Sequence, residues 1–327
     1  MSRVLVAMSG GVDSSVALFK ILEMGYEAIG VTMKLWDYKT VGGNTDQDNN
    51  CCSIDSINAA KIVCDHFGVR HYTLDFTKPF KEKVVDDFAN EYLKGRTPNP
   101  CVKCNSHLKW DTFINQAKKL GASYIATGHY AQIKDKKILK GCDPTKDQSY
   151  VLWGIPKETI GMTIFPLGGL TKKEVREIAK SENLITADTP ESMDICFVAD
   201  NNYKRFLSNY REQEIKSIGN GDIVNESGDV IGEHNGYHSF TVGQRKGIGL
   251  SRPNPMYVKN IDSKSNKIIV GEKNSLYSES CYTKKINWLV NNQNAPLNIE
   301  AQIRYNSKPF KAQVINHKSG YKILFDE

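Results

Sequence analysis

The 327-residue sequence lacks the features of a membrane protein and those of a disulfide-stabilised secreted protein. No apolar run approaches the roughly 20 residues that a membrane-spanning helix requires. Met1-Ser2-Arg3 leads straight into an apolar strand pattern, with no leader-like segment. Eight cysteines are too few for a disulfide scaffold in a chain of this length. We therefore expect a cytoplasmic protein in which some cysteines have catalytic, redox or metal-binding roles.

The common nucleotide-binding and zinc-binding signatures are missing as well. The glycine-rich stretch near the start has neither the spacing of a Walker A loop nor that of a dinucleotide fingerprint. No second C-x-x-C or H-x-x-H pair accompanies Cys101 and Cys104, which disfavours a structural zinc site. The net charge of +6 is compatible with a nucleic-acid partner but is too small to indicate one by itself.

The stretch SGGVDSS, from Ser9 to Ser15, carries a strong local signal. It follows the apolar run Val4 to Met8 and precedes a helical pattern, so it joins a buried strand to a helix N-terminus. Two glycines allow positive φ and close backbone approach, and the N–H groups of the helix start favour a phosphate. The stretch resembles the pyrophosphate loop of the ATP pyrophosphatases, which cleave ATP between the α and β phosphates and activate a carbonyl as its adenylate. The alternative is a tight turn without a ligand.

Strand and helix patterns alternate in the first part of the chain. Strands are expected over 4–8, 28–33, 69–74 and 125–127, with helices over 13–24, 54–67 and 112–120 and a polar loop over 37–50. This alternation predicts an α/β fold with a parallel, doubly wound, Rossmann-like sheet. The resemblance of the SGGVDSS loop implies that this sheet is of the ATP pyrophosphatase type. Ligands then bind at the carboxyl ends of the strands. SGGVDSS lies there, and so do Gly128 and His129, which end the fourth strand.

The pattern changes beyond about Asn202. Helical periodicity fades, and short alternating apolar runs such as 221–224 and 267–271 indicate β-rich additions. We expect three domains: a catalytic ATP pyrophosphatase domain at 1–201, a small β-rich central domain at 202–273, and a shortened β-barrel-like domain at 274–327.

The cysteines suggest more than one kind of chemistry. In the segment TPNPCVKCN, a thiol near a helix N-terminus and Lys103 is expected to have a lowered pKa, and Asn105 is a candidate for the opening of the next helix. Cys196 stands in the apolar stretch DICFV, where a buried core thiol is by itself favoured over a catalytic one. A [4Fe–4S] cluster held by Cys101, Cys104 and Cys196 is an alternative. Packing is the expected role of the remaining cysteines, Cys51, Cys52, Cys64, Cys142 and Cys281.

Taken in order along the chain, the motifs resemble the bacterial tRNA-specific 2-thiouridylase family over nearly the whole length. The loop alone fits any ATP pyrophosphatase, whereas the full series is specific. The matching stretches are AMSGGVDSSVA, GVTMKLW, NCCSIDSINAAKIVCDHFGVRHY, GRTPNPCVKCN, YIATGHYA, KDQSYVLWGI, DICFV, FTVGQRKGIG and IRY.

The resemblance implies an ATP site, a reactive cysteine pair and a tRNA surface. ATP, with Mg²⁺, is implied to bind Ala7, Met8, Ser9, Gly10, Gly11, Val12, Asp13, Ser14, Met33 and Gly128. Cys104 matches the family's nucleophile, and Cys196 matches the cysteine that carries the persulfide. Contacts with tRNA are implied for Asn99, Pro100 and Cys101 near the target base, and for His129, Asp147, Gln148, Ser149, Arg304 and Tyr305.

The implied reaction is the 2-thiolation of the wobble uridine of tRNA of the Lys, Glu or Gln type. Uracil O2 is a poor leaving group, and adenylation converts it to a good one. A sulfur atom from the Cys196 persulfide then displaces AMP. Cys104 either resolves the persulfide by thiol–disulfide exchange or frees the sulfur first, which leaves a Cys104–Cys196 disulfide for a reductant to reopen. The persulfide donor would be a cysteine desulfurase or a sulfur-relay protein, and the enzyme is expected to act as a monomer.

Two departures from the family and two further alternatives remain. Many relatives carry Asp at the position of Cys101, and the usual C-terminal Pro-Gly-Gln segment is missing. The Cys101 thiol keeps the iron–sulfur alternative open. Another ATP pyrophosphatase ligase, or a tRNA-binding protein without catalysis, would also account for parts of the pattern.

Overall fold

The computed structural model describes residues 1–36, 54–191, 195–198, 200–284, 286–290 and 295–326. The expected polar loop over 37–50, together with Cys51 and Cys52, lies outside the described residues. The chain divides into two compact units. Unit 1 comprises Met1–Val84, Cys101–Asn201 and Asn287–Gln293, and unit 2 comprises Val85–Pro100, Asn202–Ile286 and Asn294–Glu327.

The elements of the described chain are numbered here in chain order. The strands are β1 (Arg3–Ala7), β2 (Glu27–Lys34), β3 (Arg70–Asp75), β4 (Tyr124–Ala126), β5 (Ala131–Lys134), β6 (Lys137–Lys140), β7 (Thr163–Ile164), β8 (Gly221–Val224), β9 (Val230–His234), β10 (Tyr257–Asp262), β11 (Lys267–Gly271), β12 (Ser280–Thr283), β13 (Leu297–Ala301), β14 (Phe310–His317) and β15 (Gly320–Phe325). The α-helices are α1 (Val12–Glu23), α2 (Ile54–His66), α3 (Thr77–Phe80), α4 (Asp86–Leu93), α5 (Pro100–Lys103), α6 (Ile114–Lys119), α7 (Lys172–Ser181), α8 (Tyr203–Tyr210) and α9 (Glu212–Ile218). π-Helical turns span Lys81–Val85 and Cys104–Phe113, and 3₁₀ turns span Ser149–Leu152, Lys157–Met162, Tyr237–Ser239 and Lys273–Leu276. None of the helices in the described parts of the chain is long and apolar enough to span a membrane.

Unit 1 is built on a five-stranded parallel sheet with the order β3-β2-β1-β4-β7. Val4, Leu5 and Val6 of the central strand β1 are all fully buried, so both faces of that strand are covered, as is typical of parallel sheets. The parallel pairing confirms the α/β sheet expected from the sequence. The expected strands differ from β1, β2, β3 and β4 by one residue at their ends.

The strand order places a ligand-binding edge between β1 and β4. From β1 the chain moves outward to β2 and β3, and it then returns to the opposite side of β1 with β4 and β7. In open α/β sheets, ligands bind outside the carboxyl ends of the strands at such a change of direction. Here β1 continues into SGGVDSS, and β4 continues into Thr127, Gly128 and His129. Two segments that are distant in sequence therefore meet at one edge.

The helical stretch that carries Cys104 begins earlier than the sequence pattern predicts. Instead of starting near 112, or at Asn105, it runs from α5 at Pro100 through the π turns to the end of α6. Proline is favoured in the first turn because its φ is preset and it has no N–H to satisfy. The i→i+5 bonds of π turns do not follow the 3.6-residue period that pattern matching uses, which explains the error. Cys104 thus lies inside this helical stretch, at the junction of α and π turns.

Unit 2 contains two four-stranded sheets, with the orders β10-β11-β8-β9 and β12-β15-β14-β13. Ile223, Val258 and Ile268 lie fully buried in the core of the first sheet. These sheets confirm the β-rich modules expected beyond Asn202.

The segment Val85–Pro100 packs within unit 2, although it precedes the β-rich modules in sequence. The rings of Tyr92 and Tyr203 stack with their centroids 4.8 Å apart. The Tyr237 hydroxyl donates a hydrogen bond to the Leu93 carbonyl at 2.6 Å. These contacts anchor the stretch that leads to Asn99 and Pro100.

Candidate active site

The SGGVDSS loop is held by a close contact with α2 and by its own serine hydroxyls. Gly10 has a φ of +77°, and a Cβ on it would lie 2.2 Å from the Ser56 carbonyl oxygen, so only glycine fits there. The Ser14 and Ser15 hydroxyls donate to the Gly11 carbonyl at 2.9 and 3.0 Å. This turn directs the first N–H groups of α1 toward the carboxyl edge of the sheet, an arrangement that binds phosphate.

The residues expected to hold ATP lie together at this edge. Ala7 ends β1, and Met33 lies near the corresponding end of the adjacent strand β2. Gly128 follows β4, and a Cβ on it would lie 2.9 Å from the Asp13 carbonyl carbon, so the loop packs directly on this glycine. Within the expected ATP segment, Met8, Gly10, Val12 and Ser14 are buried, Ala7, Gly11 and Asp13 are half-buried, and Ser9 is exposed.

Asp13 is the centre of a polar network that sequence reasoning missed. Its Oδ1 accepts hydrogen bonds from the Tyr130 hydroxyl and from the Lys172 amine, both at 2.7 Å. The Lys172 side chain is only 11% exposed, and its amine lies 5.7 Å from the centroid of the Tyr130 ring. Burial, followed by the charge of Asp13, raises the pKa of Tyr130 far above its ordinary value. The phenol therefore stays protonated and serves as a donor to the carboxylate.

Further charged groups surround this network. Lys172 also pairs with Glu191 at 3.4 Å, and Glu191 accepts a hydrogen bond from the Lys146 amine at 2.6 Å. The bond from Lys146, aided by the charge of Lys172, lowers the pKa of Glu191 and keeps it ionised. The backbone N–H of Lys172 donates to Asp143 at 3.0 Å. Lys172 is thus held against the loop by Asp13, and Lys146 is linked to Lys172 through Glu191. An incoming polyphosphate could take the place of these carboxylates.

The start of α7 contains a signal by which Lys172 could have been found. Thr171 and Glu174 form a capping box, in which the Glu174 N–H donates to the Thr171 hydroxyl and the Thr171 N–H donates to the Glu174 carboxylate. A lysine in the first turn of a helix is disfavoured by the helix dipole. The pattern Thr-Lys-Lys-Glu therefore places a cation against its local preference, which is typical of a functional position.

His129 is buried, with a partner at each ring nitrogen. Its Nδ1 lies 2.7 Å from the Thr127 hydroxyl, and its Nε2 lies 3.3 Å from the Lys109 amine. Burial, followed by the nearby charge of Lys109, lowers the pKa of His129 well below its ordinary value, so the ring is neutral. The structure places this residue inside unit 1 at the ligand-binding edge, and not on its surface.

Asp147, Gln148 and Ser149 form a half-buried turn. Asp147 accepts hydrogen bonds from the Gly141 and Ser149 N–H groups at 2.9 and 3.1 Å, and from the Ser149 hydroxyl at 2.8 Å. The Tyr130 N–H donates to the Gln148 side chain at 3.0 Å. The turn therefore helps to fix Tyr130, which in turn contacts Asp13.

Cys101, Cys104 and Cys196 all belong to unit 1. Cys101 is exposed, and Cys104 and Cys196 are half-buried. Next to Cys196, the Phe197 ring packs edge-on against Phe80 with centroids 5.6 Å apart, which fixes Phe197 on an apolar base. Among the described residues, no group of three or more His, Cys, Asp and Glu residues is arranged to hold a metal ion.

Two of the other cysteines have raised pKa values. Burial raises the pKa of the Cys64 thiol to about 12 and also raises that of Cys281. Both are therefore protonated and unreactive at neutral pH, as expected for thiols that pack. Cys142 is exposed in unit 1.

The remaining expected tRNA-contacting residues lie in unit 2. Asn99 is exposed, and Pro100 is buried at the start of α5. Arg304 and Tyr305 are both exposed, and the Arg304 guanidinium donates to the Val242 carbonyl at 2.8 Å. Arg304 is thereby attached to the loop that contains the basic stretch 243–247.

Family models and curated relatives match most of the chain. Residues 2–200 match the family model described as the tRNA methyl transferase HUP domain, and residues 204–272 match the corresponding PRC-barrel domain. The tRNA-specific 2-thiouridylase MnmA of Carboxydothermus hydrogenoformans is 44% identical over 99% of this chain and 90% of its own length. Proteins of the same name from Halothermothrix orenii and Salinibacter ruber are 42% and 46% identical, covering 100% and 87% of this chain and 92% and 76% of their own lengths. The chain therefore belongs to the tRNA-specific 2-thiouridylase family.

Proposed function

We propose that this protein catalyses the ATP-dependent 2-thiolation of the wobble uridine in tRNA of the Lys, Glu or Gln type. The observation that carries the proposal is the meeting of SGGVDSS and Gly128 at the carboxyl edge of the sheet, in the same compact unit as Cys104 and Cys196. A phosphate-binding loop and two partly exposed cysteines in one compact unit suit an adenylate that sulfur displaces. The names of relatives more than 40% identical over most of the chain support the same activity.

In this proposal ATP lies along Ala7 to Ser14, with Met33 and Gly128 beside it. Asp13 is a half-exposed carboxylate at the loop and fits Mg²⁺, which binds one or two carboxylates and completes its coordination with phosphate oxygens. Bound there, the ion would neutralise charge on the departing pyrophosphate. Lys172 and Lys146 then exchange their carboxylate partners for phosphate.

The chemistry proceeds in balanced steps. Uracil O2 attacks the α-phosphorus, an O–P bond forms, and pyrophosphate leaves with the electron pair of the broken bond. The outer sulfur of a Cys196 persulfide attacks C2, and AMP leaves with the former O2. The Cys104 thiolate then attacks the inner sulfur of Cys196, which releases 2-thiouridine and forms a Cys104–Cys196 disulfide. A thiol reductant supplies the two electrons that reopen this bond.

The cysteines favour sulfur transfer over the methyl transfer named in the family-model description. A cysteine thiolate can accept sulfur as a persulfide and pass it on by exchange. The persulfide would come from a cysteine desulfurase or a relay protein.

The proposed tRNA contacts fall into two groups. Asn99, Pro100 and Cys101 would meet the target base, which must leave the anticodon stack to be modified. Arg304 and Tyr305 are exposed and suit contacts with the RNA backbone and an RNA base. His129 and the turn 147–149 would support the site from within, because His129 is buried and the turn is half-buried.

We further propose a monomer with domains at 1–201, 202–273 and 274–327. The family-model matches at 2–200 and 204–272 support the first two ranges. The separate four-stranded sheet β12-β15-β14-β13 supports the third.

The test combines the protein with ATP, Mg²⁺, a persulfide donor and unmodified tRNA, and detects 2-thiouridine by mass spectrometry of the digested RNA. Cys104→Ser and Cys196→Ser should abolish product, whereas Cys142→Ser, at an exposed cysteine of the same unit, should leave the yield unchanged. Absence of product with the parent, or parental yields from both serine variants, would contradict the proposal.

The same preparation separates the alternatives. Iron and acid-labile sulfide after anaerobic purification would support a cluster on Cys101, Cys104 and Cys196. Amide formation from ammonia and a small acid would support another ATP pyrophosphatase ligase. Binding of tRNA without pyrophosphate release would support a non-catalytic protein.

A further inference from the structure

Lys109 is a cation with no assigned task in the reaction. It lies on the π-helical turns Cys104–Phe113, five positions after Cys104, and its amine is 3.3 Å from His129 Nε2. The side chain is half-buried, and among the described residues no carboxylate forms an ion pair with it. A partly buried positive charge without a counter-charge suits a negatively charged ligand.

His129 holds this amine without neutralising it. The ring is uncharged, because burial lowers its pKa well below the ordinary value. When Lys109 donates to Nε2, the proton of the neutral ring lies on Nδ1 and is donated to the Thr127 hydroxyl at 2.7 Å. The rings of Trp110 and Phe165 pack around the imidazole with centroids 5.7 and 6.0 Å away. The imidazole is therefore a fixed, neutral acceptor for the lysine.

The contact between Lys109 and His129 joins two parts of the proposed site. Lys109 shares its helical stretch with Cys104, and His129 follows Gly128, on which Asp13 of the loop packs. Trp110, next to Lys109, donates from its indole N–H to the Thr163 hydroxyl of β7 at 2.8 Å and so fixes this stretch on the sheet. Lys109 is thus held between the cysteine-bearing stretch and the nucleotide edge.

In the proposed reaction, one phosphate of ATP has to approach both the cysteine-bearing stretch and the nucleotide edge. In the proposed reaction the α-phosphorus bonds to uracil O2, and it leaves within AMP when sulfur takes its place at C2. The β and γ phosphates leave earlier, as pyrophosphate. Of the three, the α-phosphate is therefore the one that stays close to the base through both steps.

We propose that Lys109, positioned by His129, contacts the α-phosphate of ATP and of the adenylated uridine. The inference rests on the proposed function and adds a residue to it. The amine stabilises the negative charge that builds on the α-phosphoryl oxygens as O2 attacks, and again as AMP leaves. Lys109 forms no covalent bond in either step, and it keeps its proton throughout.

The first test compares Lys109→Met, which keeps an unbranched side chain one atom shorter and removes the charge, with Lys109→Arg and the parent. Pyrophosphate release in the presence of tRNA should fall about 100-fold in Lys109→Met, the usual size of a lost transition-state contact, and by a smaller factor in Lys109→Arg. Lys118→Met is the matched control, because Lys118 is exposed on α6 of the same helical stretch. It should release pyrophosphate at the parental rate.

A second readout separates contact with the α-phosphate from a structural effect. The two diastereomers of ATPαS each replace one non-bridging α-oxygen by sulfur. The parent should prefer one diastereomer, and Lys109→Met should lose most of that preference. A variant that keeps the parental preference, or that releases pyrophosphate within about threefold of the parent, would overturn the role of Lys109.

The outcomes distinguish this inference from the function on which it rests. A parent that releases no pyrophosphate with tRNA would overturn both. An active parent, together with a Lys109→Met variant that shows no rate loss or no change in diastereomer preference, would overturn the inference alone.

Discussion

At the scale of residues, the Asp13 carboxylate and the Lys172 amine form the centre of the polar network at the loop. Asp13 is contacted by the Tyr130 hydroxyl and the Lys172 amine, and Lys172 is also paired with Glu191. In the proposed reaction Asp13 would hold Mg²⁺, and Lys172 would then pair with the phosphates of ATP. Until then the network keeps this buried cation paired with carboxylates.

We expect Lys172→Met to raise the KM for ATP and to slow pyrophosphate release by about 100-fold, because a cation next to the developing phosphate charge is lost. Lys173→Met is the matched control. Lys173 follows Lys172 directly, is 87% exposed and pairs with Glu177 at 3.8 Å. The loss of its charge should therefore change neither the KM nor the rate. Steady-state pyrophosphate assays over a range of ATP concentrations measure both values. Parental values for Lys172→Met would show that the network has no role in binding ATP.

Sequence reasoning found the residues that local motifs mark and missed those that the fold assembles. SGGVDSS and the cysteines are visible as short patterns. Tyr130 and Lys172 lie 117 and 159 residues from Asp13 in the chain, and no local pattern links them to it. Lys109 and His129 are 20 residues apart, and the fold brings the lysine of the π-helical turns into contact with the histidine that follows β4.

At the scale of elements, the turn between β1 and α1 is specified by steric fit. Gly10 and Gly25 have almost the same backbone angle, with φ of +77° and +80°. A Cβ at Gly10 would lie 2.2 Å from the Ser56 carbonyl oxygen on α2, whereas a Cβ at Gly25 would have no atom within 4 Å. An alanine at Gly25 would therefore experience backbone strain alone, whereas an alanine at Gly10 would experience the same strain and a steric clash.

Gly25→Ala should lower the free energy of unfolding by about 1 kcal/mol, the cost of a left-handed residue with a Cβ. Gly10→Ala should cost at least about 1 kcal/mol more, because the loop or α2 must move to relieve the contact. It should also weaken ATP binding, since the phosphate-binding turn is displaced. Urea unfolding and equilibrium ATP binding measure these effects. Equal losses of stability for the two variants would contradict the steric explanation.

The strands were predictable because they are runs of consecutive apolar residues between turns, as in Val4, Leu5 and Val6. The helical stretch from Thr77 to Leu93 and the early start at Pro100 were not predicted. Both contain π turns, whose wider spacing breaks the apolar period that a search for α-helices uses. One of these two mispredicted helical stretches carries Cys104 and Lys109. This agrees with the frequent occurrence of π turns at functional sites.

At the scale of the whole molecule, buried and half-buried neutral histidines link stability to pH. Burial lowers the pKa values of His71, His129, His234 and His238 in the folded protein. In the unfolded chain each imidazole regains its ordinary pKa of about 6.5 and binds a proton as the pH falls. The stability that these groups contribute is present above that value, and it is lost as the pH falls toward the folded-state pKa values.

We therefore expect the free energy of unfolding to decrease between pH 7.5 and pH 5. Each histidine that is protonated only in the unfolded chain contributes about 1.4 kcal/mol per pH unit. The carboxylates with lowered pKa values, such as Glu191 and Asp143, reduce the free energy of unfolding only at lower pH, because their ordinary pKa values are 4.5 and 3.8. Urea unfolding at a series of pH values measures the slope. A flat or rising stability as the pH falls through this window would contradict the assignment.

In the proposed reaction, ATP activates uracil O2 and sulfur replaces it. The most direct measurement uses tRNA whose wobble uridine carries ¹⁸O at O2, with ATP, Mg²⁺ and a persulfide donor, and determines the mass of the AMP formed. We expect one ¹⁸O atom in AMP for each 2-thiouridine produced, because the O–P bond made in adenylation survives when sulfur displaces AMP. AMP without the label, alongside thiolated tRNA, would contradict it.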